Sequence, residues 1–128
     1  MVWSIQRCDS IASWKPFDLG KLKINYETAV ADGKLFMAAI YCDNEGNILK
    51  VVTSTMNGRN NTKGEARAAR MACQVAEEFM ENEIIFEGDC LNLVNQVMDE
   101  IGEPNWDIVG EVKTIRRLLK DHVMWSFT

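Results

Sequence analysis

Between Lys21 and Ala29 the chain reads as a buried central strand, and a single carboxylate, Glu27, stands where only apolar or small residues are expected. Leu22 and Ile24 alternate with Lys21, Lys23 and Asn25, the period of two that marks a β-strand. An acid placed there must face a water-filled cleft, pair with a cation or bind a metal, because burying a bare carboxylate costs several kcal/mol. Two further acids fall where a fold can bring them beside it. Glu65 opens a predicted helix, and Asp89 follows the apolar strand Ile84-Ile85-Phe86.

The order of elements decides whether those acids can meet. After the first strand (21–30), Asp32-Gly33 predicts a tight turn and Lys34–Tyr41 a second strand. A turn at Asp43-Asn44-Glu45-Gly46-Asn47 leads to a third strand, Ile48–Thr55, rich in β-branched residues. Three strands in hairpin succession form an antiparallel meander. A polar loop at 57–61 precedes a helix from Thr62 or Lys63 to about Met80, with Ala69, Ala72, Ala76 and Phe79 as its apolar stripe. Glu83–Phe86 is a short strand without alternation, as in a strand covered on both faces. Leu91, Val94, Val97, Met98 and Ile101 mark a second helix, stopped by Gly102 and Pro104; Ile108, Val112, Ile115 and Leu119 mark a third. The tail His122–Thr128 reads as one more strand.

This βββαβααβ order is that of an α/β domain with a five-stranded mixed sheet and helices on its faces. A helix joining two strands of one sheet calls for a right-handed parallel crossover, so the fourth strand lies parallel to the first. Residues 1–18 lack a clear period and form a lead-in segment; the domain proper spans 19–128. With 128 residues, 47% hydrophobic and 26% charged, the chain is the size of one globular domain. No apolar run reaches membrane-spanning length, and the N-terminus lacks a secretory pattern. Cys8, Cys42, Cys73 and Cys90 form no Cys-x-x-Cys pair, so they read as reduced thiols in an intracellular protein, cytoplasmic or nuclear. The net charge of −5 counts against tight, general nucleic-acid binding, since neutralising phosphates supplies most of that affinity.

If the first and fourth strands are neighbours, Glu27 and Asp89 meet near their carboxyl ends. Glu65, four residues before Ala69, reaches them from the sheet-facing side of the helix. Two of the acids taken alone have a plain structural role available: complementing the helix dipole for Glu65, worth ~0.3–1 kcal/mol, and capping the next helix for Asp89; Glu27 has none as good beyond an ion pair with a lysine. Three converging carboxylates repel one another and call for a hard divalent cation such as Mg²⁺ or Mn²⁺.

At these residues the chain resembles the plant reverse-transcriptase-like ribonuclease H domains derived from retrotransposons, over Trp14 to Thr128. The likeness lies in Trp14-Lys15-Pro16, in Lys23-Ile-Asn25-Tyr-Glu27-Thr-Ala29, and in the turn Asp43-Asn44-Glu45-Gly46-Asn47. It continues through Gly64-Glu65-Ala66-Arg67-Ala68, Glu87-Gly88-Asp89-Cys90 and Leu93-Val94-Asn95-Gln96-Val97. The resemblance implies a ribonuclease H-like fold in which two metal ions and four acids cut the RNA strand of an RNA–DNA hybrid. Carried over, Glu27, Glu65 and Asp89 are the catalytic and metal-binding residues. The chain departs from the pattern in three ways: Glu27 replaces an aspartate, Thr28 replaces a glycine, and the segment carrying the fourth acid is missing. Misplacing a reacting group by about 1 Å can cost ~10²-fold in rate. The resemblance therefore implies nucleic-acid binding with weak or lost cleavage, and Mg²⁺ or Mn²⁺ bound weakly or not at all. The alternative is an inactive module that binds a protein partner within a larger protein.

Arg59, Lys63 and Arg67, with Arg70 nearby, cluster at the start of the first helix and are the candidate nucleic-acid contacts. Lys113, Arg117 and Lys120 read as a solvated face of the third helix. His122 has no nucleophile placed beside it and reads as a surface or packing residue. Trp106 and Trp125 are expected to pack in the core or at its edge, and Trp3 and Trp14 are candidate anchors for a partner chain.

Overall fold

The computed structural model describes residues 20–79, 83–99 and 102–128, so the lead-in segment, Trp3, Trp14 and Ile101 lie outside the described residues. Its strands are β1 (Lys21–Ala31), β2 (Lys34–Cys42), β3 (Ile48–Asn57), β4 (Glu83–Glu87) and β5 (Trp125–Phe127). Its helices are α1 (Asn61–Val75), continued as a 3-10 turn over Ala76–Phe79, α2 (Leu91–Met98) and α3 (Val109–Asp121). The five strands form one sheet in the order β3-β2-β1-β4-β5. The meander β1–β2–β3 is antiparallel, and β4 is parallel to β1, as the crossover rule requires.

Local chemistry explains most of these boundaries. Asp32 and Gly33 both take positive φ, the conformation a two-residue hairpin needs to match strand twist. In the next turn the Asp43 carboxylate accepts the backbone N–H groups of Glu45 and Asn47, each at 2.9 Å. Asn60 caps α1 by accepting the Lys63 backbone N–H at 3.1 Å. The helix therefore starts at Asn61, earlier than its apolar stripe predicts, and Glu65 falls in its second turn rather than its first.

Alternation along β1 and β2 puts Leu22, Ile24, Tyr26, Met37, Ala39 and Tyr41 on one side, in a single core with residues of α1, α2 and α3. Small side chains let α1 lie close to the sheet: Ala68, Ala69, Ala72 and Ala76 have no exposed surface. At that distance the Tyr41 hydroxyl donates to the Ala72 carbonyl at 2.9 Å.

Several sequence expectations are corrected. In β4, burial alternates, with Ile84 and Phe86 inside and Ile85 half-buried, because only the former two point at the helices. Leu91 and Met98 are 70% and 58% exposed; Leu93 and Val97 form the inward stripe of α2 instead. Trp106 is 88% exposed on the α2–α3 connection, whereas Trp125 is buried as expected and stacks on His122 at 3.9 Å. Cys42 is disulfide-bonded, against the expectation of four reduced thiols; Cys73 and Cys90 are free. No described helix is long and apolar enough to cross a membrane.

Candidate functional site

The pairing of β1 with β4 runs from Lys21 with Glu83 to Asn25 with Glu87. β1 continues past that point while β4 ends, so the next residues of the two segments, Tyr26–Glu27 and Gly88–Asp89, flank a notch at their carboxyl ends. Glu27 lies opposite Ala38 of β2, and Tyr26 opposite Ala39. Since Tyr26 and Ala39 face the helices, the pleat turns Glu27 to the other side of the sheet.

Glu65 approaches from the helix side and is only 7% exposed. Burial first and the charge of Asp89 second push its carboxyl up to about 7. A hydrogen bond from the Thr28 backbone acts in the opposite direction, and Glu27 adds a smaller upward push. One oxygen, Oε2, is shielded from solvent and has no hydrogen-bond partner. Glu27 is also raised, first by burial and then by Asp89. Asp89 thus acts on both of the other acids. It is exposed, and it does not cap α2: Cys90 holds that position without a side-chain hydrogen bond. The capping role available to Asp89 in the sequence is overturned, which leaves its carboxylate to the notch.

Shape complementarity fixes the floor of this notch. A Cβ at Gly88 would come within 2.2 Å of the Tyr26 ring, so the ring occupies the space a side chain at 88 would need. A Cβ at Gly64 would lie 2.5 Å from Thr28 Oγ1, which donates to the Phe36 carbonyl at 3.1 Å. Gly64 thus leaves room for the Thr28 side chain. Tyr26 Oη, beneath Glu65, is a second buried polar atom without a hydrogen-bond partner.

The donor set suits a hard divalent cation in part. Glu65 Oε2 is an orphaned buried oxygen beside a second carboxylate, Asp89, and oxygen donors of this kind are what Mg²⁺ and Mn²⁺ take. Yet no three His, Cys, Asp or Glu among the described residues stand close enough together to hold a metal as they are. Alternation along β1 puts Glu27 on the face opposite core-facing Tyr26, while Asp89 acts electrostatically on both Glu27 and Glu65.

The basic candidates go elsewhere. Arg59 is exposed on the loop before α1. Lys63 and Arg67 turn toward α3, where Glu111 Oε2 lies 3.2 Å from Lys63 Nζ and 3.2 Å from Arg67 Nε, with Arg70 Nη1 at 3.7 Å. Glu111 is 4% exposed and is a charged residue the sequence reading passed over. Its signal was present: it precedes Ile115 and Leu118 by four and seven residues, on the same apolar stripe. Lys63 also donates to the Asp107 carbonyl at 2.6 Å, and Asn60 to the Asp107 carboxylate at 3.0 Å.

Residues 25–127 match the family described as reverse transcriptase-like. Among solved structures, the chain is similar to RNase H1 from the halophilic archaeon Halobacterium salinarum, with a TM-score of 0.73 and 20% identity, covering 85% of this chain and 84% of that one. It is similar to LC11-RNase H1 in complex with an RNA/DNA hybrid, with a TM-score of 0.70 and 16% identity over 84% and 83% of the two chains. The foamy viral protease-reverse transcriptase in complex with an RNA/DNA hybrid gives 0.67 and 14%, covering 92% of this chain but 19% of the viral one. At these identities the likeness is one of fold. No curated protein matches the chain in sequence.

Proposed function

We propose, from the premise that this chain belongs to the reverse transcriptase-like family, that it binds RNA–DNA hybrids and that its two-metal phosphodiester cleavage is weak or lost. The observation that carries this reading is the position of Asp89, whose charge raises both Glu27 and Glu65 at the carboxyl ends of β1 and β4. Two of the solved structures similar to this chain hold an RNA/DNA hybrid. Descent from a plant retrotransposon rests on the motif likeness alone.

Near neutral pH, Glu65 is divided between its protonated and ionised forms, so it holds a proton that a cation would displace. Asp89, exposed at the rim, presents its carboxylate to solvent and to an approaching ligand. When bound, Mg²⁺ or Mn²⁺ supplies Lewis-acid polarisation of a phosphoryl oxygen and a more acidic water. Glu65 and Asp89 would hold it. Weak cleavage is supported by the longer glutamate side chain at position 27. Arg59 stands as a phosphate contact at the notch end of α1; Lys63 contributes less, since Glu111 and the Asp107 carbonyl already engage it.

A labelled RNA–DNA hybrid, followed by fluorescence anisotropy in Mg²⁺ and by gel in Mn²⁺, tests both halves. Binding in preference to single-stranded RNA, with slow or no cleavage, is expected. Equal binding to both substrates, or none, would end the reading.

A second reading is favoured by the large apolar side chains left open to solvent, Trp106, Leu91 and Met98. They suit a protein-interaction module. In that case a partner protein would be captured equally by the native chain and by Glu65→Gln, while Trp106→Ala would lose it.

A further inference from the structure

The cluster between α1 and α3 sets one carboxylate against three cations. Glu111 Oε2 serves Lys63, Arg67 and Arg70 together, and three positive charges against one negative leave an excess of two. The chain as a whole carries −5, so this patch runs against the sign of its surroundings. Lys63 is well used, with both Glu111 oxygens and the Asp107 carbonyl within 3.3 Å. The two arginines are not. Their Nε–H groups are shielded from solvent and have no hydrogen-bond partner. Arg67 Nε lies 3.2 Å from the carboxylate but is not aligned to donate to it.

Arg67 and Arg70 also line a groove of about 220 Å³ between α1 and the β2–β3 hairpin. Ser54 and Thr55 add polar groups to its wall, and Met56 and Met71 add flexible apolar surface. The volume is below the ~300–1,000 Å³ of sites for drug-sized ligands, so it admits one charged group and part of the body attached to it. Arginine pairs with spare donors match the oxygens of phosphate, and thioether side chains adapt to a base or sugar.

We propose that this groove binds a phosphate group carried on a nucleoside, with Arg67 and Arg70 as the donors and Glu111 as the internal anion already beside them. Ligand phosphate and Glu111 compete for the same two guanidiniums. The groove lies on the β3 flank of α1, whereas Glu65 is turned to Thr28 on β1, so the inference does not rest on hybrid binding at the acid notch. The phosphate belongs either to a free mononucleotide or to a nucleotide within a strand.

The test is an NMR titration of the ¹⁵N-labelled chain that follows the Arg67 and Arg70 Nε–Hε signals. AMP is added in one arm, and a short DNA oligonucleotide without a terminal phosphate in the other. Movement of both signals with AMP alone identifies a free nucleotide; movement with the oligonucleotide identifies a strand; either supports the site. Glu111→Gln should tighten AMP binding about tenfold, within the range ordinary for coupling between one charge and a ligand. Arginines with a purely structural role would show no such gain. Should Glu111→Gln not fold, Arg70→Lys keeps the charge, loses the planar fork and should weaken AMP binding by about tenfold. Signals that stay fixed in both arms at millimolar ligand, or an affinity for whichever ligand moves them that is unchanged in these variants, would overturn the proposal.

Discussion

Two regions of this molecule face the same problem, three like charges gathered in a small volume, and meet it differently. Between α1 and α3, Lys63, Arg67 and Arg70 surround Glu111, a counter-charge supplied by the chain itself. At the β1–β4 notch, Glu27, Glu65 and Asp89 lie within electrostatic reach of one another, and burial first, with the charge of Asp89 second, favours protonation: Glu65 is pushed up to about 7 and Glu27 is raised. A charged cluster with an internal counterion is part of the scaffold. One that lowers its own charge by holding a proton can exchange that proton for an external cation. Opposite burial costs follow, and they can be measured.

The largest effect belongs to the scaffold side. Glu111→Leu leaves three half-buried cations without their anion and should cost about 3–5 kcal/mol in urea unfolding. A loss below 1 kcal/mol would show that the cluster is solvated and that the contrast fails. On the notch side, shape matters as well as charge. Gly88→Ala drives a methyl group into the Tyr26 ring and should cost about 1–3 kcal/mol.

Charge removal at Glu65 should act with the opposite sign. Glu65→Gln is expected to stabilise the metal-free protein at pH 8 by up to about 1–3 kcal/mol, because the amide needs no ionised form in a buried place. The pH profile gives the same comparison without mutation. The Glu65 carboxyl titrates near 4.5 in the unfolded chain and about 7 in the fold, so the folded state holds the extra proton between them. Stability contributed by this group is present below pH 4.5 and falls as pH rises toward 7. Saturating Mg²⁺ should flatten that fall in the native chain, and Glu65→Gln should abolish it. The smallest effect calibrates the rest: the exposed Lys50–Glu78 pair, at 2.6 Å, should contribute under about 1 kcal/mol in a double-mutant cycle.

Much of the fold was legible because its signals are local or topological. The Asp32-Gly33 turn, the three-strand succession and the parallel crossover fix the neighbours of β1 before any contact is known. Glu65 was found by one rule, an acid on a stripe that should be apolar. The same rule applied to α3 singles out Glu111, a buried acid on that helix's apolar stripe. Other features depend on register in three dimensions. Nothing in sequence says that Thr28 meets Gly64, or that the Tyr26 ring fills the space beside Gly88, since those partners are 36 and 62 residues apart. The turning of Glu27 to the far side of the sheet is a matter of pleat parity, set by its pairing with Ala38. Trp106 misled because bulk and hydrophobicity predict burial, while its place on the α2–α3 connection leaves it nothing to pack against.

A carboxyl-carbon NMR titration of Glu65, with and without Mg²⁺, decides whether the notch is a cation-demanding site. The Glu65 signal should titrate near pH 7 without metal and shift to the ordinary carboxylate range or lower with it, and Asp89→Asn should remove the response to Mg²⁺. A Glu65 that titrates near 4.5 without metal, or one that Mg²⁺ leaves unmoved, would contradict the account.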